Sequence, residues 1–106
     1  MTQITTDELK SKIENKETFV LDLFATWCGP CRILMSGLEK LEKQMVQESS
    51  IPKFDIYKYD IDTDRDFVVN ELGIRSVPTI KFFKNGVEVD SKVGVIPNHE
   101  VIKIMS

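Results

Sequence analysis

Hydrophobic residues recur along this chain with two different periods. Thr18 to Ala25 is an almost unbroken apolar run, Phe19-Val20-Leu21 then Leu23-Phe24, which predicts a central strand covered on both faces. From Pro30 the period lengthens. Leu34, Leu38, Leu41 and Met45 return at helical spacing, predicting a helix to Gln47 with Glu39, Lys40, Glu42 and Lys43 on its other face. Phe54 to Ile61 and Val77 to Phe83 read as two further strands, rich in aromatic and β-branched residues. Between them a short helix is expected, capped by Asp62 or Thr63, with Phe67, Val68 and Leu72 turned inward and Gly73 at its end.

Asn85-Gly86, inside Lys84-Asn85-Gly86-Val87, is the dipeptide that suits a type I′ hairpin turn. The returning strand carries Val87, Val89 and Val93 on one face and ends at Gly94. Thr5 and Glu8 form a capping-box pattern before Leu9 and Ile13, predicting a first helix that stops near Asn15, a residue tolerant of left-handed backbone. Asn98 to Met105, preceded by Pro97, is a closing helix. Strand–helix–strand units imply parallel pairing and the hairpin adds an antiparallel edge. The class is therefore α/β, a mixed sheet with helices on both faces in one domain, residues 1–106.

Composition narrows the function. With 106 residues, 42% hydrophobic and 29% charged, the chain is an ordinary globular sequence able to bury a core without staples. A net charge of -3 and no Lys/Arg cluster argue against nucleic acid or an anionic membrane as partner. Nothing resembles a secretory signal after Met1, and no apolar run is long enough to span a membrane, so a cytoplasmic protein is expected.

The only two cysteines and the only tryptophan sit together in Trp27-Cys28-Gly29-Pro30-Cys31, where the strand meets the helix. A thiol at a helix N-terminus faces unsatisfied N–H groups and the positive end of the helix dipole, both of which stabilise a thiolate. Only the thiolate attacks a disulfide. Cys28 is thus the attacking group, and Cys31, one turn in and less exposed, can resolve a mixed disulfide. Three blander readings stand beside this one. A structural disulfide would close a four-residue loop worth only roughly 2 kcal/mol, against about 3 for a 15-residue loop. Half of a zinc site would find only His99 as a further soft ligand, unless two copies shared the metal. Coincidence is the third.

Asp22 interrupts the apolar strand, facing the same side as Phe24. If buried, desolvation raises its pKa and makes it an acid or base usable near neutral pH. Lys58, on the neighbouring strand, is either its ion partner or a solvated residue. Pro78 inside a strand removes a ladder donor and calls for a cis bond beside a site, or for an ordinary trans edge proline. His99 reads as a solvent-facing residue, and Trp27 as a shield for the thiols and a substrate contact more than a core aromatic.

Together these residues resemble the thioredoxin family. The pentapeptide matches the family's active site in full, Asp22 its buried acid, and Lys58 with Asp60 its charged strand pattern. Gly73-Ile74-Arg75-Ser76-Val77-Pro78-Thr79 matches its cis-proline loop, Phe83-Lys84-Asn85-Gly86 its hairpin, and Gly94 the glycine beside the site. The resemblance implies a thioredoxin fold: a three-layer α/β/α sandwich, with four to five strands flanked by four helices. It also implies a monomeric disulfide reductase of protein substrates with no metal and no bound cofactor. Its redox group would be the Cys28–Cys31 disulfide, recharged from NADPH by thioredoxin reductase. Asp22 would accept the proton of Cys31, with Gly29, Pro30 and Lys58 supporting the site. Trp27, Val77, Pro78 and Gly94 would contact substrate. Ser36-Gly37 departs from the proline that commonly bends the active-site helix, so a smaller or displaced bend is expected. A binding subunit with vestigial thiols, or a reductant dedicated to one partner, are the alternatives.

Overall fold

A computed structural model describes all residues, 1–106. Its strands are β1 (Thr2–Gln3), β2 (Phe19–Phe24), β3 (Asp55–Asp60), β4 (Thr79–Lys84) and β5 (Val87–Val93). Its helices are α1 (Thr6–Glu14), α2 (Gly29–Gln47), a short π-type turn over Phe67–Glu71, and α3 (Asn98–Met105). The five strands order β1-β3-β2-β4-β5. β3 lies parallel to both β1 and β2, while β4 runs antiparallel to β2 and β5 antiparallel to β4.

β2 is central and every one of its residues is buried, which is why its sequence shows no polar alternation. Its side chains alternate between two cores. Phe19, Leu21 and Leu23 join Leu9 of α1 with Phe67 and Val68 of the π-type turn. Val20 packs on the opposite side with Leu34, Leu38, Leu41 and Met45 of α2 and with Val101 and Met105 of α3. The result is the expected three-layer mixed α/β architecture.

Local chemistry sets the element ends. Thr5 and Glu8 form the capping box, Thr5 N–H to Glu8 Oε1 at 3.0 Å and Glu8 N–H to Thr5 Oγ1 at 3.1 Å. Asn85 and Gly86 take φ values of 53° and 77°, the paired positive angles of a type I′ turn. That turn docks on the α1–β2 connection: Gly86 N–H donates to Glu17 O at 2.9 Å and Asn85 N–H to Thr18 Oγ1 at 3.1 Å. A Cβ on Gly86 would stand 2.4 Å from Ile13 O, so the approach admits only glycine.

Three local expectations are corrected, and one strand is added. Asp64, not Asp62 or Thr63, caps the short helix, its Oδ1 accepting the Phe67 N–H at 3.1 Å. Lys16, not Asn15, takes the left-handed conformation, with φ 58° where the hairpin turn packs against it. Pro78 precedes the first ladder residue of β4, Thr79, so it removes no ladder donor. β1 is an additional strand, two exposed polar residues paired with Tyr57 and Lys58. α2 runs without interruption through Ser36 and Gly37, and the Gly37 carbonyl accepts Asn98 Nδ2–H from α3 at 2.9 Å.

Candidate active site

β2 delivers the chain to the site at Phe24, and α2 starts five residues later. Cys28 is the N-cap of α2, with extended backbone at φ -95° and ψ 110°. Its Sγ accepts the Cys31 N–H at 3.2 Å, so a sulfur fills the place a Ser or Asp oxygen takes at an ordinary cap. Gly29 and Pro30 form the exposed first turn, where the missing N–H of proline leaves no helical bond unmade. Cys28 and Cys31 are joined as a disulfide. Cys31 is completely buried, whereas Cys28 keeps 6% of its surface open. Of the two, Cys28 is the one nearer solvent and Cys31 the one sealed off.

Phe24 and Ala25 complete the cluster around the two sulfurs, with Met35, Ile61 and Val77 packed against it. Val77 arrives through the loop before β4, in which the Val77–Pro78 peptide bond is cis. Thr79 Oγ1–H donates to Ser76 O at 2.7 Å, and Pro78 O accepts the Gly94 N–H at 2.9 Å. Gly94 is thus tied to Pro78 through its nitrogen. Trp27 is 64% exposed, not a core aromatic. Its indole Nε1–H donates to Asp62 Oδ2 at 2.9 Å, holding the ring beside the thiols.

Asp22 lies one β-period before Phe24, on the α2 side of β2. It is fully buried, and neither carboxylate oxygen has a hydrogen-bond partner. Burial pushes its pKa up from 3.8 to about 7, opposed only by the charge of Lys58. Lys58 is its register partner on β3, with Nζ 5.6 Å from the centre of the Phe24 ring. The lysine thus lies close enough to moderate the burial effect but does not cancel it. His99 is exposed in the first turn of α3. Nowhere do three His, Cys, Asp or Glu residues converge as a metal site would require.

The thiol pair, Trp27, Val77, Pro78 and Gly94 therefore meet at one end of the sheet, with Asp22 and Lys58 on the strands leading to it. Sequence reasoning missed Asp62 as the partner of Trp27, and Met35 and Ile61 as packing for the sulfurs. No spacing signal links Asp62 to Trp27, which only the fold brings together.

The thioredoxin family model matches residues 1–106. The chain belongs to the thioredoxin family. It is 38% identical over 93 residues to thioredoxin-1 of Saccharomyces cerevisiae, covering 88% of this chain and 84% of that protein. It is 36% identical over 92 residues to a thioredoxin of Malassezia sympodialis, covering 87% and 83%. A thioredoxin of Plasmodium falciparum superimposes with a TM-score of 0.78 at 30% identity, covering 98% of this chain and 96% of that one. Family, fold and the bridged Cys-x-x-Cys pair make the chain a thiol–disulfide oxidoreductase acting on disulfide-containing proteins, with its own Cys28–Cys31 pair as the redox group. Of the readings weighed for the two cysteines, the redox pair is therefore the one that stands.

Proposed function

We propose that the chain reduces protein disulfides by dithiol exchange, with Cys28 attacking, Cys31 resolving and Asp22 accepting the proton of Cys31. In the reduced protein the Cys28 thiolate attacks one sulfur of a substrate disulfide. That S–S bond breaks, the other substrate sulfur leaves as a thiolate and takes up a proton, and a mixed disulfide remains. Cys31 then loses its proton to Asp22 and attacks Cys28 Sγ. The second substrate thiolate departs and is protonated, and the Cys28–Cys31 bridge forms. The substrate has gained two electrons and two protons.

The observation that carries this reading is the asymmetry of the pair: Cys28 caps α2 and keeps a small part of its surface open, while Cys31 is fully buried one turn in. A cap position supplies the N–H groups and dipole that hold Cys28 as a thiolate once reduced. An acid with a pKa near 7 is matched to taking a proton at neutral pH. The exposed ring of Trp27, the apolar edge of Val77 and the backbone around Pro78 and Gly94 give a substrate segment its landing surface, and Gly29, Pro30 and Lys58 support the site. Electrons return from NADPH through thioredoxin reductase, and the protein works as a cytoplasmic monomer.

Reduction of insulin, followed by turbidity with a dithiol as electron source, tests the reading. Wild type should accelerate precipitation and Cys28→Ser should not. Turbidity that develops equally fast without Cys28 would overturn it.

A further inference from the structure

Four methionines lie in the chain, and three of them are packed away. Met45 and Met105 are buried in the core under α2 and α3, and the Met1 side chain is fully covered. Met35 alone stays partly open to solvent. It is also the one that packs against the cluster of Phe24, Ala25, Cys28 and Cys31. It follows Cys31 by four residues on α2, so the two lie on one face of the helix. A long helical side chain leans back over the preceding turn, which sets the Met35 thioether over the turn that holds Cys31.

A thioether is a soft, flexible group that fills such a gap well, and it is also oxidisable. Dithiol exchange does not touch it, so that reaction gives Met35 no chemical role. A sulfoxide in its place would be polar and would need a hydrogen-bond donor. The cluster offers apolar carbon and two sulfurs, and no side-chain donor. The sulfoxide would therefore turn outward to water, and the turn holding Cys31 would lose its cover.

We propose that Met35 is a peroxide-sensitive modification site whose oxidation unseals Cys31. The thioether sulfur attacks one oxygen of a hydroperoxide, an S–O bond forms and the O–O bond breaks. Sulfur loses two electrons and the peroxide gains them. The departing oxygen takes up the proton shed by the transferred one and leaves as water or an alcohol. The sulfoxide returns to the thioether through a methionine sulfoxide reductase. This adds regulation to the site proposed above and rests on that reading for its consequence, which is that peroxide marks the resolving sulfur of a disulfide carrier.

In the experiment, hydrogen peroxide is applied while the Cys28–Cys31 disulfide is closed, which protects both thiols. Peptide mapping by mass spectrometry then follows each methionine. Met35 should gain one oxygen about tenfold faster than Met45 or Met105, whose oxidation waits on local opening. The protein is next reduced, Cys28 is blocked with iodoacetamide, and a maleimide labels Cys31. Labelling should run about fivefold faster after peroxide than before it, the factor that one unsatisfied polar group gives. Met35→Leu keeps the cover but lacks the oxidisable sulfur, so it should show no such rise. Met35→Gln should show the rise without peroxide. Buried methionines oxidised as fast as Met35, or unchanged labelling of Cys31, would overturn the proposal. So would an equal rise in Met35→Leu, or wild-type labelling in Met35→Gln. The insulin test of Cys28→Ser decides the exchange reading separately, so failure of one is not mistaken for failure of the other.

Discussion

Replacing Asp22 with Asn should change how stability depends on pH, and the size of the change follows from the burial of the carboxylate. The folded pKa is about 7 against 3.8 for an ordinary Asp. Folding thus holds a proton that the unfolded chain has released. Where the native state binds more protons than the unfolded state, stability falls as pH rises. For Asp22 the full stability is present below pH 3.8, is lost progressively across the interval up to about 7, and levels off above it. A gap of about three pKa units corresponds to about 4 kcal/mol at 1.36 kcal/mol per unit, an upper bound because water entering an ionised site softens it. Asn cannot ionise, so its unfolding curve lacks this fall. Burying the amide has its own cost, but that cost is the same at every pH and cancels when two pH values are compared. Guanidinium unfolding of the oxidised proteins at about pH 4 and pH 8 should therefore show Asp22→Asn gaining about 3 kcal/mol on wild type between the two. Stability curves that stay parallel across this range would refute the reasoning, since they would mean that Asp22 is not the group whose proton folding retains.

In rapid-mixing kinetics, Asp22→Asn should slow release of substrate from the mixed disulfide more than its formation; equal slowing of both steps would contradict the proton-acceptor role. Gly86→Ala should destabilise by about 2–4 kcal/mol, combining a positive φ with a 2.4 Å approach to the backbone oxygen of Ile13. A loss under about 0.5 kcal/mol in chemical denaturation would show that the hairpin turn does not hold its close docking. Leu38→Ala, at a fully buried position, should lower stability by about 2–5 kcal/mol. Val46→Ala, 85% exposed on the same helix, should stay within about 0.5 kcal/mol, and equal losses at the two sites would place the α2 core face wrongly.

Elements whose cause is local were legible in the sequence. The apolar run of β2, the helical stripe of α2, the Thr5–Glu8 capping box and the Asn85-Gly86 turn each carry their explanation within a few residues. What escaped depends on contacts between distant segments. β1 is two polar residues whose only reason to be extended is the free edge of β3. Lys16 turns left-handed because the hairpin turn packs against it, and a residue-by-residue preference would have chosen Asn15. Trp27 and Asp62 meet because β2 and β3 are parallel neighbours ending at the same level. The thiols could be found without the fold, but the groups that orient Trp27 and seal the sulfurs could not.

Two buried charges in the sheet show how the fold separates structure from chemistry. Lys81 interrupts the apolar sequence of β4 much as Asp22 interrupts β2, and both side chains are buried. Lys81 Nζ, however, meets Glu88 Oε1 at 2.8 Å across the β4–β5 hairpin, so its charge is paired by the element it belongs to. Asp22 has no hydrogen-bond partner for either oxygen, and above its pKa the ionised form is held in the core against its own solvation. Replacement by an apolar residue would relieve that cost, so folding does not account for the carboxylate. A group that weakens the folded state at the pH where it ionises, on the strand leading to a redox pair that must lose a proton to react, fits the proton transfer proposed above. The pattern alone marked Asp22 as an anomaly, and its burial beside the redox pair supports the proton-acceptor role proposed for it.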